Sequence, residues 1–368
     1  MKIFLLALTF ISWAFPRKNS CGPRLKLEWT AYQPANLKAS KLFNTDEVLN
    51  IKLSGSLREI FSDRAEKVKY HPISFSYAAI DSSEVTISAE AKTRGHFRKT
   101  AGTCLYPPLM LRFVKNEKFR SSIFSDQSKL KLVMPCQGDE YVVREWMVYR
   151  LYNLVTAKSF RARLVRVQLE DAKKKKKPTP FYGILLEEEQ QLAKRNHSVL
   201  IDKNLIKPQQ IEETNFLTMA VFEYLIGNTD WSIQYQQNVK LLLQDSAALP
   251  AAVPYDFDHS GLVNAPYAKP AEQLQMYSVV ERRYRGYCIP NTTRFAEVFS
   301  VFKRLKKDIY NLYSDCPLLD AGYIKATKKY LDEFYSTINN GKAMQKEFSY
   351  PCDENGTGNI VIKGLRKD

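Results

Sequence analysis

The chain has 368 residues, 45% of them hydrophobic, 12% aromatic and 26% charged. That composition excludes a disordered or collagenous protein, and the length suits one two-lobed unit or two domains. Lys and Arg outnumber Asp and Glu by 55 to 39, a net charge of +16. This favours anionic partners, but no zinc-type cysteine spacing, RNP-type aromatic motif or basic heptad region accompanies it, so no nucleic-acid partner is expected.

Met1-Lys2 opens the chain, the apolar run Ile3 to Phe15 follows, and Ser12-Trp13-Ala14 offers small residues for cleavage after Ala14. This pattern predicts a signal peptide over 1–14, with a buried first helix as the alternative. The run is too short for a spanning helix, and no other segment is long enough to be one. Export would place the chain in the periplasm, at the cell surface or in the medium. Six cysteines, Cys21, Cys104, Cys136, Cys288, Cys316 and Cys352, then suggest disulfides, although spacing alone does not fix the pairing and buried thiols are the alternative. Cys104 precedes one strand-like segment and Cys136 ends another, so a sheet placing these strands side by side could close a bridge.

Strands are expected at 47–57, 84–92, 108–114 and 129–134. In the last, Lys129-Leu130-Lys131-Leu132 alternates with period two. Val143, Trp146, Met147, Leu151 and Leu154 then repeat along one helix face. Strands return at 161–169 and 181–186, and the lysine run 173–177 between them reads as a solvated hairpin tip. A boundary near 190 separates a sheet-rich lobe, 15–190, from a mainly helical lobe, 191–368. Helical spacing recurs around Leu217 to Leu225, Phe295 to Leu305 and Leu331 to Ile338. Two short strands, Asn238 to Leu243 and Ala251 to Tyr255, interrupt the helices, with a turn at Asp245 to Pro250.

Neither a P-loop nor a dinucleotide fingerprint nor a nucleophile elbow is present. The four histidines have no metal-ligand spacing, which disfavours zinc and serine hydrolases. What remains is an ordered set: Asp230 after an apolar helix ending at Gly227, Asn238 eight residues later, a hairpin, then Tyr255-Asp256-Phe257-Asp258. Phosphoryl transfer needs one carboxylate beside the acceptor hydroxyl, and an amide oxygen with a second carboxylate to hold Mg²⁺ against the phosphates of ATP. A tight hairpin would bring Asn238 and Asp256 to one metal. Taken separately, these fragments are also ordinary turn sequences. In the first lobe, Lys131 is the candidate phosphate-neutralising lysine, with Lys129 as its rival, and Glu145 the helix carboxylate that would position it. Glu187 opens the acidic run where an inter-lobe hinge would lie.

The stretches Lys129 to Val133, Arg144-Glu145 with the helix to Tyr152, Tyr182 to Glu187, Asp230 to Asn238 and Tyr255 to Asp258 resemble the CotH kinase family, atypical kinase-like proteins first known from spore coats. The likeness covers roughly residues 126–262. It implies an α+β, two-lobed, protein-kinase-like fold. It also implies a catalytic Asp at Asp230, metal ligands at Asn238 and Asp256, and Asp258 as the second Asp of an aromatic-Asp-x-Asp motif. The family lacks a classical glycine-rich loop, as this chain does. The segment Trp231 to Gln237 and the run His259-Ser260-Gly261 depart from the family pattern and point to an outlying exported branch. The expectation is an exported ATP- and Mg²⁺-dependent kinase acting on a hydroxyl of a protein or small molecule. The alternative is an inactive kinase-like binding or adhesion module.

Overall fold

The computed structural model describes residues 40–348 apart from 80, 96, 101, 174–177, 203–204 and 290. The expected signal peptide, Cys21 and Cys352 lie outside the described residues, as does most of the lysine run. The chain is a mixed α+β protein built from a barrel and a helical part.

Seven strands form the barrel: β1 (Leu49–Gly55), β2 (His71–Ala78), β3 (Glu84–Thr93), β4 (Leu109–Phe113), β5 (Lys129–Val133), β6 (Ala162–Asp171) and β7 (Phe181–Leu186). Their order is β1-β2-β3-β4-β5-β7-β6, closed by parallel pairing of β6 with β1. Closure departs from the simple sheet-rich lobe the sequence suggests. It comes from strands more than a hundred residues apart, with Leu49 opposite Val165 and Gly55 opposite Asp171. Two short helices, α1 (Leu57–Ser62) and α2 (Glu117–Ser121), lie in the connections. Alternation explains the barrel interior: Leu49, Ile51 and Leu53 of β1 and Leu130 and Leu132 of β5 point inward. Phe75, Phe113 and Phe124 fill the centre, with ring centroids 5.0–5.3 Å apart.

The helix α3 (Asp139–Val155) follows β5. Its Trp146, Tyr149 and Tyr152 belong to a second apolar core shared with the helical part. Tyr152 packs on Phe222 at 4.1 Å and Tyr149 on Phe257 at 4.8 Å between ring centroids. After β7 come α4 (Glu189–Arg195), β8 (Val199–Ile201) and α5 (Glu213–Ile226). The hairpin β9 (Val239–Leu243) and β10 (Ala251–Pro254) follows, and then α6 (Thr293–Arg304), α7 (Lys306–Ser314), α8 (Ala321–Asn339) and α9 (Gly341–Phe348). Strands β10, β9 and β8 form a small antiparallel sheet.

Cys104 and Cys136 are joined by a disulfide across 32 residues of sequence, as the strand arrangement suggests. Cys288 and Cys316 are also disulfide-bonded. No helix among the described residues is long and apolar enough to cross a membrane.

Candidate active site

Helix α5 is apolar on nearly every face, so it buries itself and delivers its C-terminus deep in the molecule. Gly227 ends it in the left-handed conformation, φ +69°. A Cβ there would lie 2.2 Å from Tyr330 Oη, so glycine is needed for space as well as for conformation. The chain then turns through Asn228, whose Oδ1 accepts from the Asp230 amide at 3.0 Å. Buried Arg285 donates Nη1 to the carbonyls of Thr229 and Trp231, fixing both flanks of Asp230.

The Asp230 carboxylate accepts from Gln237 Nε2 and, at 3.0 Å, from Asn238 Nδ2, which also donates to the Asp230 carbonyl at 2.7 Å. Both amide protons of Asn238 are thereby used, and Oδ1 remains. Burial raises the Asp230 pKa above the ordinary carboxylate value; His259 opposes the shift and Asp258 adds to it.

The hairpin register explains why Asn238 and Asp256 lie at one end of the sheet. Val239 pairs with Pro254, and the Tyr255 amide donates to Asn238 O at 2.9 Å. Residues 18 apart in sequence therefore leave the sheet at the same end. Both take left-handed backbone, φ +53° at Asn238 and +67° at Asp256, a conformation that costs energy outside glycine and collects at functional sites. Tyr149 of α3 steadies the second, its Oη accepting from the Asp256 amide at 2.9 Å. Burial, then repulsion from Asp258, pushes the Asp256 carboxyl up to about 6, while Arg98 and Arg94 pull against this.

Asp258 is engaged differently. Tyr267 Oη donates to it at 3.0 Å, and Arg98 Nη1 lies 3.6 Å away. Glu145 is buried behind the same turn, close to the Phe257 amide, with its Oε1 taking no hydrogen bond among the described residues. Burial first, then the charges of Asp258 and Asp256, raise its pKa well above normal.

The expected pairing of Lys131 with Glu145 needs correction. Lys131 Nζ donates to Glu189 Oε1 at 2.7 Å, and Lys240 reaches the other oxygen of Glu189 at 3.3 Å. Lys131 also lies over the Tyr255 ring, 4.6 Å from its centroid. Glu145 instead lies on the side of α3 near residues 256–258, where the charges of Asp258 and Asp256 act on it. Between the two candidate lysines the structure separates clearly: Lys129 is exposed, whereas Lys131 is buried on the outer face of β5 toward the helical part. Burial, then Arg94, lowers the Lys131 pKa to about 8. Glu187 does not face this cluster with free oxygens. They accept from Arg195 at 2.9 and 3.0 Å and from the Arg161 amide at 3.0 Å. Glu189, Arg98, Tyr149 and Arg285 escaped the sequence reading. Only Glu189 left a trace there, as the third member of an acidic run whose helical phase spacing does not reveal.

Among the described residues no three His, Cys, Asp or Glu side chains are grouped to hold a metal. The candidate oxygen donors are Asn238 Oδ1 and the Asp256 carboxylate, which makes no hydrogen bond or ion pair among the described residues. Magnesium is commonly held by one or two carboxylates together with substrate phosphates and water, so these residues fit a site shared with a nucleotide.

No protein-family model matches the chain, and no curated protein matches it. Among solved structures it is similar to the Helicobacter pylori proinflammatory kinase CtkA, with 13% identity and a TM-score of 0.37 over 67% of this chain and 90% of that one. A likeness this loose assigns nothing, and the functional reading rests on the geometry above.

Proposed function

We propose that the protein is an ATP- and Mg²⁺-dependent phosphotransferase of the kinase type, an outlying exported relative of the CotH kinases, acting on a hydroxyl of a protein or small molecule. The observation that carries this reading is the hairpin end, where Asn238 and Asp256 stand together and Asn238 holds Asp230. Asn238 Oδ1 and Asp256 would hold Mg²⁺, which when bound neutralises phosphate charge. Lys131, steadied by Glu189, supplies a cation for the nucleotide phosphates. Asp230 orients the acceptor hydroxyl and takes its proton as the oxygen bonds to the γ-phosphorus and the bond to the ADP oxygen breaks. Burial makes its carboxylate a stronger base than a solvated one, which suits that role. Disulfides at Cys104–Cys136, Cys288 and Cys316 support an oxidising compartment.

The test is a thermal-shift titration followed by incubation with γ-labelled ATP. Stabilisation requiring both ATP and Mg²⁺, with label appearing on the protein or an added substrate, supports the reading. No stabilisation by Mg-ATP would overturn it. Label that arrives only from α-labelled ATP would show nucleotidyl transfer instead.

A further inference from the structure

The connection from β3 to β4 lies where the barrel meets the Asp256–His259 turn. It begins at Arg94, whose amide donates to Pro108 O at 2.9 Å and so extends the β3–β4 ladder by one step beyond Thr93 and Leu109. The backbone of Arg94 is therefore held at the barrel rim. Three further anchors press the connection toward the site. Arg98 donates Nη2 to Met134 O and sets Nη1 3.6 Å from Asp258. The Phe97 ring meets His259 and Tyr267 at centroid distances of 6.0 and 6.3 Å. Cys104 is bonded to Cys136, three residues past β5.

Arg94 is the cation this frame leaves over. It is partly exposed and makes no ion pair among the described residues. Lys92 pairs with Met110 and Met110 with Lys131, so Arg94, two residues beyond Lys92 on the continued ladder, stands on the same outer face of the barrel as Lys131, whose pKa its charge helps to lower. Lys131 has Glu189; Arg94 faces a like charge with no carboxylate of its own. Two cations on one face of the barrel, at the rim that meets the Asp256–His259 turn, form a receptor for an anion. The β1–β2 connection, where a glycine-rich phosphate loop would be sought, contains helix α1 instead.

Resting on the nucleotide reading of the site, we propose that Arg94 is a phosphate-binding residue, its planar guanidinium gripping the polyphosphate of ATP from the barrel side in place of a glycine-rich loop. The recognised chemistry is the phosphate chain, not the base or the sugar.

Calorimetric titration of the full chain with Mg-ATP and, separately, with adenosine tests this. Arg94→Ala is expected to weaken Mg-ATP binding by about tenfold or more and to leave adenosine binding unchanged, because charge-assisted hydrogen bonds are lost only from the phosphates. Arg94→Lys is expected to recover part of the loss. Arg112→Ala removes the same charge from the adjacent strand, where Arg112 pairs with Glu90 at 2.6 Å, and is expected to bind both ligands normally. Unchanged Mg-ATP affinity in Arg94→Ala would overturn the proposal, and so would equal losses for ATP and adenosine, which mark a structural role. If the unmodified protein binds no ATP, the nucleotide reading itself falls, and the proposal with it.

Discussion

Asn238 turns its side-chain nitrogen onto Asp230, 3.0 Å from Oδ2 and 2.7 Å from the backbone carbonyl. One amide thus locks the acidic residue while keeping its own oxygen for another partner. The two halves of the candidate chemistry, proton acceptance and metal binding, are coupled through one side chain.

Asp230→Asn separates catalysis from binding. The new amide sets a second nitrogen among the donors of Gln237 and Asn238, so one hydrogen bond is lost, at a cost of about 1 kcal/mol. Mg-ATP affinity is expected to stay normal, while labelled-phosphate transfer falls by about a hundredfold or more. Transfer equal to that of the unmodified protein would remove Asp230 from the mechanism.

Asp256→Asn has a pH signature. The folded carboxyl titrates at about 6 and the ordinary value is 3.8, so between these the folded state keeps a proton that the unfolded state has released. Stability falls as pH rises through that window, and the penalty is complete above it. The variant is expected to match its parent near pH 4 and to melt higher above about pH 6, because the penalty is then absent. Added Mg-ATP should stabilise the parent alone. Melting curves across pH, with and without Mg-ATP, check both statements.

Lys131, Glu189 and Glu145 can be told apart by their variants. A lysine whose folded pKa is lowered to about 8 from 10.5 costs stability while charged in both states, and stability recovers as pH rises from about 8 toward 10.5. Lys131→Met is therefore expected to hold or raise the melting temperature at pH 7 and to weaken ATP binding about tenfold. Glu189→Gln should weaken ATP binding less, by loosening Lys131. Glu145→Gln should spare ATP affinity measured without metal and alter its dependence on Mg²⁺, since Glu145 backs the turn that carries Asp256. If Glu145→Gln and Glu189→Gln behave alike, the pairing described here is wrong.

The disulfide Cys104–Cys136 closes a 32-residue span, for which chain entropy gives about 3–4 kcal/mol of stabilisation. The pair Cys104→Ser and Cys136→Ser should unfold at correspondingly lower denaturant concentration. No described cysteine is free, so a thiol count in denaturant without reductant should find none of these four.

Much of the candidate site's placement was readable because it is local. The β9–β10 alternation and the turn between the strands place Asn238 and Asp256 at one end, and Gly227 after an apolar helix marks where the chain must turn. Lys129 and Lys131 could not be told apart, because they share a strand face and differ only in how far the helical part covers that face. The three glutamates after β7 read as one acidic patch, yet each has its own partner: Glu187 holds Arg195, Glu188 accepts from Ser128 and Glu189 holds Lys131 and Lys240. Strand β2 went unread. Pro72 disguises its start and is accommodated because β1 ends opposite Ile73, so no neighbour needs its missing donor. Barrel closure is a contact between remote segments that no spacing announces.

The double allegiance of α3 limits how this molecule can be controlled. Trp146, Tyr149 and Tyr152 are almost fully buried against the helical part, while Trp146 Nε1 also donates to Ala162 O in the barrel at 3.2 Å. Swinging the helix outward would expose all three rings, at a cost of roughly 1.5–3 kcal/mol each. The sum approaches the whole stability of an ordinary domain, about 5–15 kcal/mol. An on–off switch that works by displacing this helix would cost much of that stability. Under the proposed function, ligand supply, access of the acceptor or a shift of the connection that carries Arg94 would act on the site with the helix left seated.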